Sequence, residues 1–326
     1  MSVLFFQALH RSARIASVAL TVAIAAACGE RTRASSDRTS AGDATAGAIT
    51  GAIAPADTDD FGVPLPTDAT NSSRIVSLNP MATELLFAIG AGRRLVGRSA
   101  WDEYPAEAKA VPSAGDGIKP NVEAVLGLRP TLVILYATAE NRAAATAFQN
   151  AGVRTMSLRV DHIADFMSFT TRLGVAVGHA ERAATVRDSV AHTLDAVRTA
   201  MQGVTPRTVV WPAWLSPVMV IGGGSYLDEL LVIAGGANVF HDHGSPSPQV
   251  SVEEIARRAP EYVVTSASQR AQLLASAPWR AVRAVRDSQF IVSDPAVTGR
   301  PSVVLGMAAV ALARALHPER AAALPK

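Results

Sequence analysis

The longest regular run of hydrophobic positions lies at residues 179–203. Ala183, Val186, Val190, Leu194, Val197 and Met201 recur at steps of three and four, the spacing of one helical face. Arg187, Asp188, His192, Asp195 and Arg198 fall between them and belong to a wetted face. Gly178 precedes the run, and Gly203 and Pro206 follow it, the punctuation expected at helix ends. The spacing predicts a continuous helix roughly 35 Å long. Sequence of similar design flanks it on both sides, so it reads as a strut between two lobes.

In both flanks, short apolar runs alternate with helical patterns. Before the strut, Arg74–Leu78, Leu95–Gly97, Thr131–Tyr136 and Val153–Leu158 read as strands; helices follow Asn79-Pro80 and Asn121, and another covers about 141–151. After it, Arg207–Trp211, Met219–Ile221, Glu261–Thr265 and Gln289–Val292 read as strands. Helices are expected at Asp228–Leu231, Ser251–Ala256, Trp279–Val285 and about 302–316. Such alternation argues for parallel sheet. The two halves also superpose as text. NVEAVLGLRPTLVIL (121–135) matches SVEEIARRAPEYVVT (251–265) without a gap, and TELLFAIGAG (83–92) echoes DELLVIAGGA (228–237). The expected fold is α/β, two Rossmann-like lobes with parallel sheets joined by one long backbone helix: lobes at 73–178 and 204–326, the helix at 179–203.

The N-terminus breaks this pattern. Arg11 and Arg14 precede an apolar run from Ile15 to Ala27 that ends in small residues, the layout of a cleavable signal peptide over residues 1–27. The run is too short for a comfortable membrane span. Ala25-Ala26-Ala27-Cys28-Gly29 resembles a bacterial lipobox, with Ala25 where Leu is usual, and the resemblance implies lipidation of Cys28. Residues 28–72 are rich in Ser, Thr, Ala, Gly, Asp and Pro, a composition expected of a flexible tether.

Charge removes one class of function. The chain carries 30 Lys+Arg and 28 Asp+Glu. Loss of the signal segment takes away Arg11 and Arg14 and no acids, leaving 28 of each sign. No basic patch for a phosphate backbone remains. Cys28 is the sole cysteine, so no disulfide holds the fold and no catalytic cysteine is available. Neither G-x-S-x-G nor H-E-x-x-H occurs. Gly222-Gly-Gly-Ser225 lacks the spacing of a dinucleotide or phosphate loop, and Ser225 with Asp228 reads as a helix cap.

The whole arrangement resembles the substrate-binding proteins of ABC importers, in the class whose lobes share a helical backbone. The stretches that carry the resemblance are RIVSLNPMATELLFAIGAGRRLVGRSAWDEYP, PNVEAVLGLRPTLVI, GGGSYLDELLVIAGGANVF and SPQVSVEEIARRAPEYVV. Together they cover about residues 73–318. That class takes up vitamin B12, ferric siderophores and haem, and the B12 binders look closest. The resemblance implies an extracytoplasmic, membrane-tethered binding protein, not an enzyme. It would have no resident cofactor and no metal site of its own, and would capture cobalamin or a related corrinoid. Its partners would be an ABC permease dimer with its ATPase subunits, and not nucleic acid. Haem or a ferric siderophore is the alternative in the same class, and a chelatase-like enzyme acting on metal tetrapyrroles the alternative outside it.

Candidate ligand-binding residues follow from the residues and from the resemblance. Trp101 lies in a polar loop after a strand, with poor prospects of burial, and B12 binders carry a cleft aromatic there. Tyr136 ends a strand that should point at the cleft, or simply caps the sheet. Trp211 and Trp214, beside prolines in WPAWLSP, could wall a flat ligand. Gly117 and Ser247 stand where the family has further tryptophans, a departure that bears on ligand identity. Asp294 and Arg300 flank a loop whose polar groups contact the ligand in the family. His241 and His243 form a weak metal-binding pattern better read as a surface loop. Glu123 and Glu253 occupy one position in the two copies. Each suits the first turn of a helix; the resemblance implies that they pair with permease arginines.

Overall fold

A computed structural model of the chain describes residues 58–326. The expected signal segment, Cys28 and the tether as far as residue 57 lie outside the described residues.

The first lobe contains β1 (Ile75–Ser77), α1 (Pro80–Ala88), β2 (Leu95–Arg98), α2 (Val122–Gly127), β3 (Leu132–Tyr136), α3 (Ala139–Asn150), β4 (Arg154–Leu158) and α4 (Ile163–Ala176). The strut follows as α5 (Ala180–Ala200). The second lobe contains β5 (Arg207–Val210), β6 (Pro212–Leu215), β7 (Val218–Val220), α6 (Tyr226–Ile233), β8 (Gly236–Asn238), α7 (Val252–Arg258), β9 (Tyr262–Thr265) and α8 (Ala267–Ala275). It ends with α9 (Arg283–Arg286), β10 (Phe290–Val292), α10 (Pro295–Thr298) and α11 (Leu305–Leu316).

Each lobe is built on a four-stranded parallel sheet. The orders are β2-β1-β3-β4 and β8-β5-β9-β10, so corresponding strands of the two copies occupy corresponding places. The backbone repeats in finer detail as well. Arg129 and Ala259 are both left-handed, at φ 49° and 48°, just before Pro130 and Pro260. Gly90 and Gly235, after α1 and α6, are left-handed too, at φ 82° and 79°. A non-glycine residue accepts that conformation only against a steric cost, so its recurrence marks the same turn built twice.

Ala183, Val190, Leu194, Val197 and Met201 are buried, as the periodicity requires. The strut does not stand alone, however. The sequence reading contains no helix between β4 and α5, and α4 occupies that place and packs along α5, with α11 also packed against it. One apolar cluster runs from Leu85 and Leu86 through Phe166, Leu173, Val190 and Leu194 to Leu230, Leu231 and Leu312. The lobes therefore share a core across the strut.

The tether expected through residue 72 gives way to packed chain by residue 58. Asp59 is 4 % exposed and accepts hydrogen bonds from the backbone N–H of Phe61, Val63 and Ser157, each at 2.9 Å. Asp60 N–H donates to Ser157 O at 3.0 Å. This polar segment covers the free edge of β4, satisfying groups that an uncovered edge would leave unpaired. Phe61 and Leu65 of the same segment also pack against the core, so hydrogen bonding and apolar contact order it together.

Candidate functional site

A cleft of about 890 Å³ is lined from both lobes. Leu78 and Asn79 follow β1, Ser99 and Trp101 follow β2, Tyr136 ends β3, and Val160 and Asp161 follow β4. Trp211 follows β5, Thr265 ends β9 with Ser266 after it, and Ser293 follows β10. These are the carboxyl ends of parallel strands, where open α/β sheets expose unpaired backbone and diverging loops. The shared topology turns both sets of ends toward one space.

The aromatic residues take different depths. Trp101 and Trp214 are each 67 % exposed and stand at the rim, one from each lobe. Trp211 is 7 % exposed, joins the shared core and gives only part of its surface to the cleft. Trp214 belongs to strand β6, which pairs antiparallel with β7 as a hairpin, where the sequence reading expects a loop. Tyr136 lines the floor, and its hydroxyl donates to Asp161 Oδ1 at 2.5 Å. Burial, and then that bond, push the Tyr136 phenol well above its ordinary pKa.

Arg300 also lines the cleft. Asp294 does not; its Oδ1 accepts from Ala296 N–H at 2.8 Å and caps α10. Asp102, next to Trp101, is completely buried. It accepts from the hydroxyls of Ser99 and Thr83 and from Ser99 N–H. Burial raises its pKa, and these hydrogen bonds act against the rise.

Several lining residues have no counterpart in the sequence reading of the site. Tyr226, in the first turn of α6, lines the cleft and donates its hydroxyl to Thr298 O at 2.7 Å. The second lobe adds Thr265, Ser266, Ser268, Gln269, Ser293 and Thr298, a wall of hydroxyl and amide groups. That wall was readable as TSASQ directly after a strand. Asn79, read only as a cap, lines the floor as well. Its Oδ1 takes Met81 N–H at 3.1 Å, while its Nδ2 is buried without a protein partner.

Gly117 lines the cleft where the family resemblance expects a tryptophan. A Cβ there would lie 2.4 Å from Leu78 O, so this backbone path leaves no room for a side chain. Gly222, Gly223 and Gly224 make a similar close approach. A Cβ on each would lie 2.2, 2.1 and 2.3 Å from the carbonyl oxygens of Ser245, His241 and Gly244. The three glycines are thus a bed for the 241–246 loop, which carries Pro246 and Ser247 to the cleft.

His241 and His243 point elsewhere. His241 Nδ1 lies 2.7 Å from Asp228 Oδ2, and His243 Nε2 lies 3.9 Å from Glu254. Among the described residues, no group of three or more His, Cys, Asp or Glu could hold a metal ion. Glu123 and Glu253 are exposed in the first turns of α2 and α7. Each helix runs back along its sheet into the next strand, so these turns lie at the cleft end of the two lobes.

The comparisons with known proteins agree with this architecture. A protein described as a vitamin B12-binding protein from Yersinia pestis is 28% identical over 215 residues, covering 66% of this chain and 76% of its own. The apo form of a periplasmic haem-binding protein, RhuT from Roseiflexus sp. RS-1, superposes with a TM-score of 0.69 at 25% identity. It covers 76% of this chain and 99% of that one. The periplasmic vitamin B12-binding protein BtuF of Vibrio cholerae shares the fold, with a TM-score of 0.67 at 23% identity, over 76% of this chain and 97% of that one. The family model described as periplasmic binding protein matches residues 75–297, and with two matched lobes around one cleft the chain belongs to that family.

Proposed function

We propose that this protein captures cobalamin or a related corrinoid outside the cytoplasm and delivers it to an ABC permease. The observation that carries the reading is the cleft's lining. Trp101 and Trp214 offer aromatic faces from opposite lobes, and hydroxyl and amide groups line the second lobe between them. A volume of 890 Å³ lies toward the upper end of small-molecule sites. The match to the Yersinia protein points to the same ligand class.

Haem is the second reading, favoured by the likeness to the Roseiflexus protein. The cleft's donors argue against it. Among the described residues no histidine lines it, and the Tyr226 hydroxyl is committed to Thr298 O. The Tyr136 hydroxyl is committed to Asp161. A corrinoid that brings its own axial groups asks for no such donor. Lipidation of Cys28 would tether the protein at the membrane, and Glu123 and Glu253, at the cleft end of each lobe, would meet the permease.

One set of measurements tests this reading. Purified protein is titrated with cyanocobalamin, haemin and ferric siderophores, read by tryptophan quenching. Cyanocobalamin should bind tightest; failure to bind it overturns the corrinoid reading, and a preference for haemin installs the second. The double reversal Glu123→Lys/Glu253→Lys should keep ligand affinity and lower uptake, more so at low salt. Unchanged uptake would leave both residues as helix-end acids.

A further inference from the structure

Among the described residues that line the cleft, only Asp161 and Arg300 are charged. Each has a counter-ion supplied by the protein. Asp161 Oδ2 lies 3.6 Å from Arg159 Nε. Arg300 donates from Nε at 2.9 Å and from Nη2 at 2.5 Å to one oxygen, Oε2 of Glu84. Glu84 is 7 % exposed, comes from α1 in the other lobe and does not itself line the cleft. The Arg300 guanidinium also lies 5.0 Å from the ring centre of Tyr104, a favourable placement for a cation. The one cation at the ligand's edge is therefore already spent.

A free guanidinium at this position would be a strong receptor for a carboxylate, with a planar fork suited to bidentate contact. Glu84 already takes the Nε–Nη2 edge of Arg300 and neutralises its charge. A ligand carboxylate entering the cleft would meet an ion pair of zero net charge, and would give up its water for little return. An amide or hydroxyl pays less for the same transfer and finds matching groups on the opposite wall. We propose that Glu84 is a specificity-determining residue: by holding Arg300 neutralised, it tunes the cleft for ligands with an uncharged hydrogen-bonding rim and against ligands with a carboxylate rim. The inference rests on the reading of this cleft as a site for a large planar ligand, and it extends that reading to a residue that never touches the ligand.

The test uses matched pairs whose members differ chiefly in the charge of a rim carboxyl group. Cyanocobalamin is compared with its monocarboxylic acid derivative, in which one side-chain amide is hydrolysed, and haemin with its dimethyl ester. In the native protein the neutral member of each pair should bind more tightly. Glu84→Gln keeps the side chain's shape and releases the Arg300 charge. It should shift the ratio of affinities about tenfold toward the acid member, about 1.4 kcal/mol, and the shift should shrink with added salt. Arg300→Gln exposes the opposite charge and should move the ratio toward the neutral member, while Glu84→Gln/Arg300→Gln should return it to the native value. Far-ultraviolet circular dichroism establishes that each variant is folded, and the two single changes provide opposite signs should one of them fold poorly. An unchanged ratio in a folded single variant overturns the inference, as does a native preference for the acid member. Binding of the haemin pair without the corrinoid pair would remove the corrinoid assignment and still read the role of Glu84.

Discussion

Asp102 has no exposed surface and collects three donors, two of them hydroxyls. It stands one residue beyond Trp101 and ties the rim loop to Thr83 of α1. Replacing it with Ala would strand the Ser99 and Thr83 hydroxyls in a buried place, at a cost of about 2–3 kcal/mol. Asp102→Ala should therefore lower the urea midpoint and, by freeing Trp101, weaken ligand binding severalfold in a quenching titration. A stability loss with unchanged affinity would show that Asp102 supports the fold without positioning the tryptophan. Trp101 was legible in the sequence because an indole in a polar loop stands out. Asp102 was not, since an acid in Trp-Asp-Glu-Tyr reads as solvated. Asp294 misled in the opposite sense, its carboxylate being satisfied within its own turn.

The strut owes its fixed position to small residues on its neighbours. A Cβ on Gly174 of α4 would lie 2.3 Å from the Ala183 Cβ, and one on Gly306 of α11 would lie 2.7 Å from the Thr193 Cβ. Both helices thus approach α5 more closely than larger side chains would allow. Gly306→Leu should force α11 away from the strut and cost about 1–3 kcal/mol through overpacking, read as a lower melting temperature; an unchanged melt would show that the contact yields freely. At this scale the sequence was most legible where one helical face is wet, as on α5. It was not read on α4, although Ile163, Phe166, Met167, Thr170 and Leu173 are buried at steps of three and four. Asp165, Ser168, Thr171 and Arg172 lie between them and are less buried, so the period was present in the sequence. Strand β8, Gly236-Ala-Asn238, lacks apolar contrast: it is short, and its neighbours bury it.

Across the whole molecule, contacts between the lobes cluster beside the cleft. Tyr226 N–H donates to Asp161 O at 2.6 Å. Glu229 of α6 accepts from Ile163 N–H at 2.9 Å, so one lobe caps the first turn of a helix in the other. The same carboxylate lies 2.6 Å from His162 Nδ1. That hydrogen bond, opposed by partial burial and aided by Asp165 and Asp161, raises the His162 pKa above its ordinary value. A raised folded-state pKa means that the protonated pair stabilises the fold fully below the unfolded value near 6.5. The contribution fades as pH climbs through the higher folded value. His162→Gln should accordingly lower the melting temperature at acidic pH and leave little difference well above neutrality; an equal loss at every pH would assign the residue a packing role. None of these pairings could be read from the chain, because each joins residues more than sixty positions apart. The unbroken apolar cluster through the strut has a consequence for thermodynamic linkage. Each lobe also has a cluster of its own, around Phe148 in the first and Phe240 and Trp279 in the second, but the shared cluster couples them, so both should unfold in one transition. A ligand held between them then stabilises the entire body, by about 2.7 kcal/mol at a concentration one hundredfold above its dissociation constant. Occupancy of a solvent-facing cleft becomes visible as the melting point of residues far inside the fold.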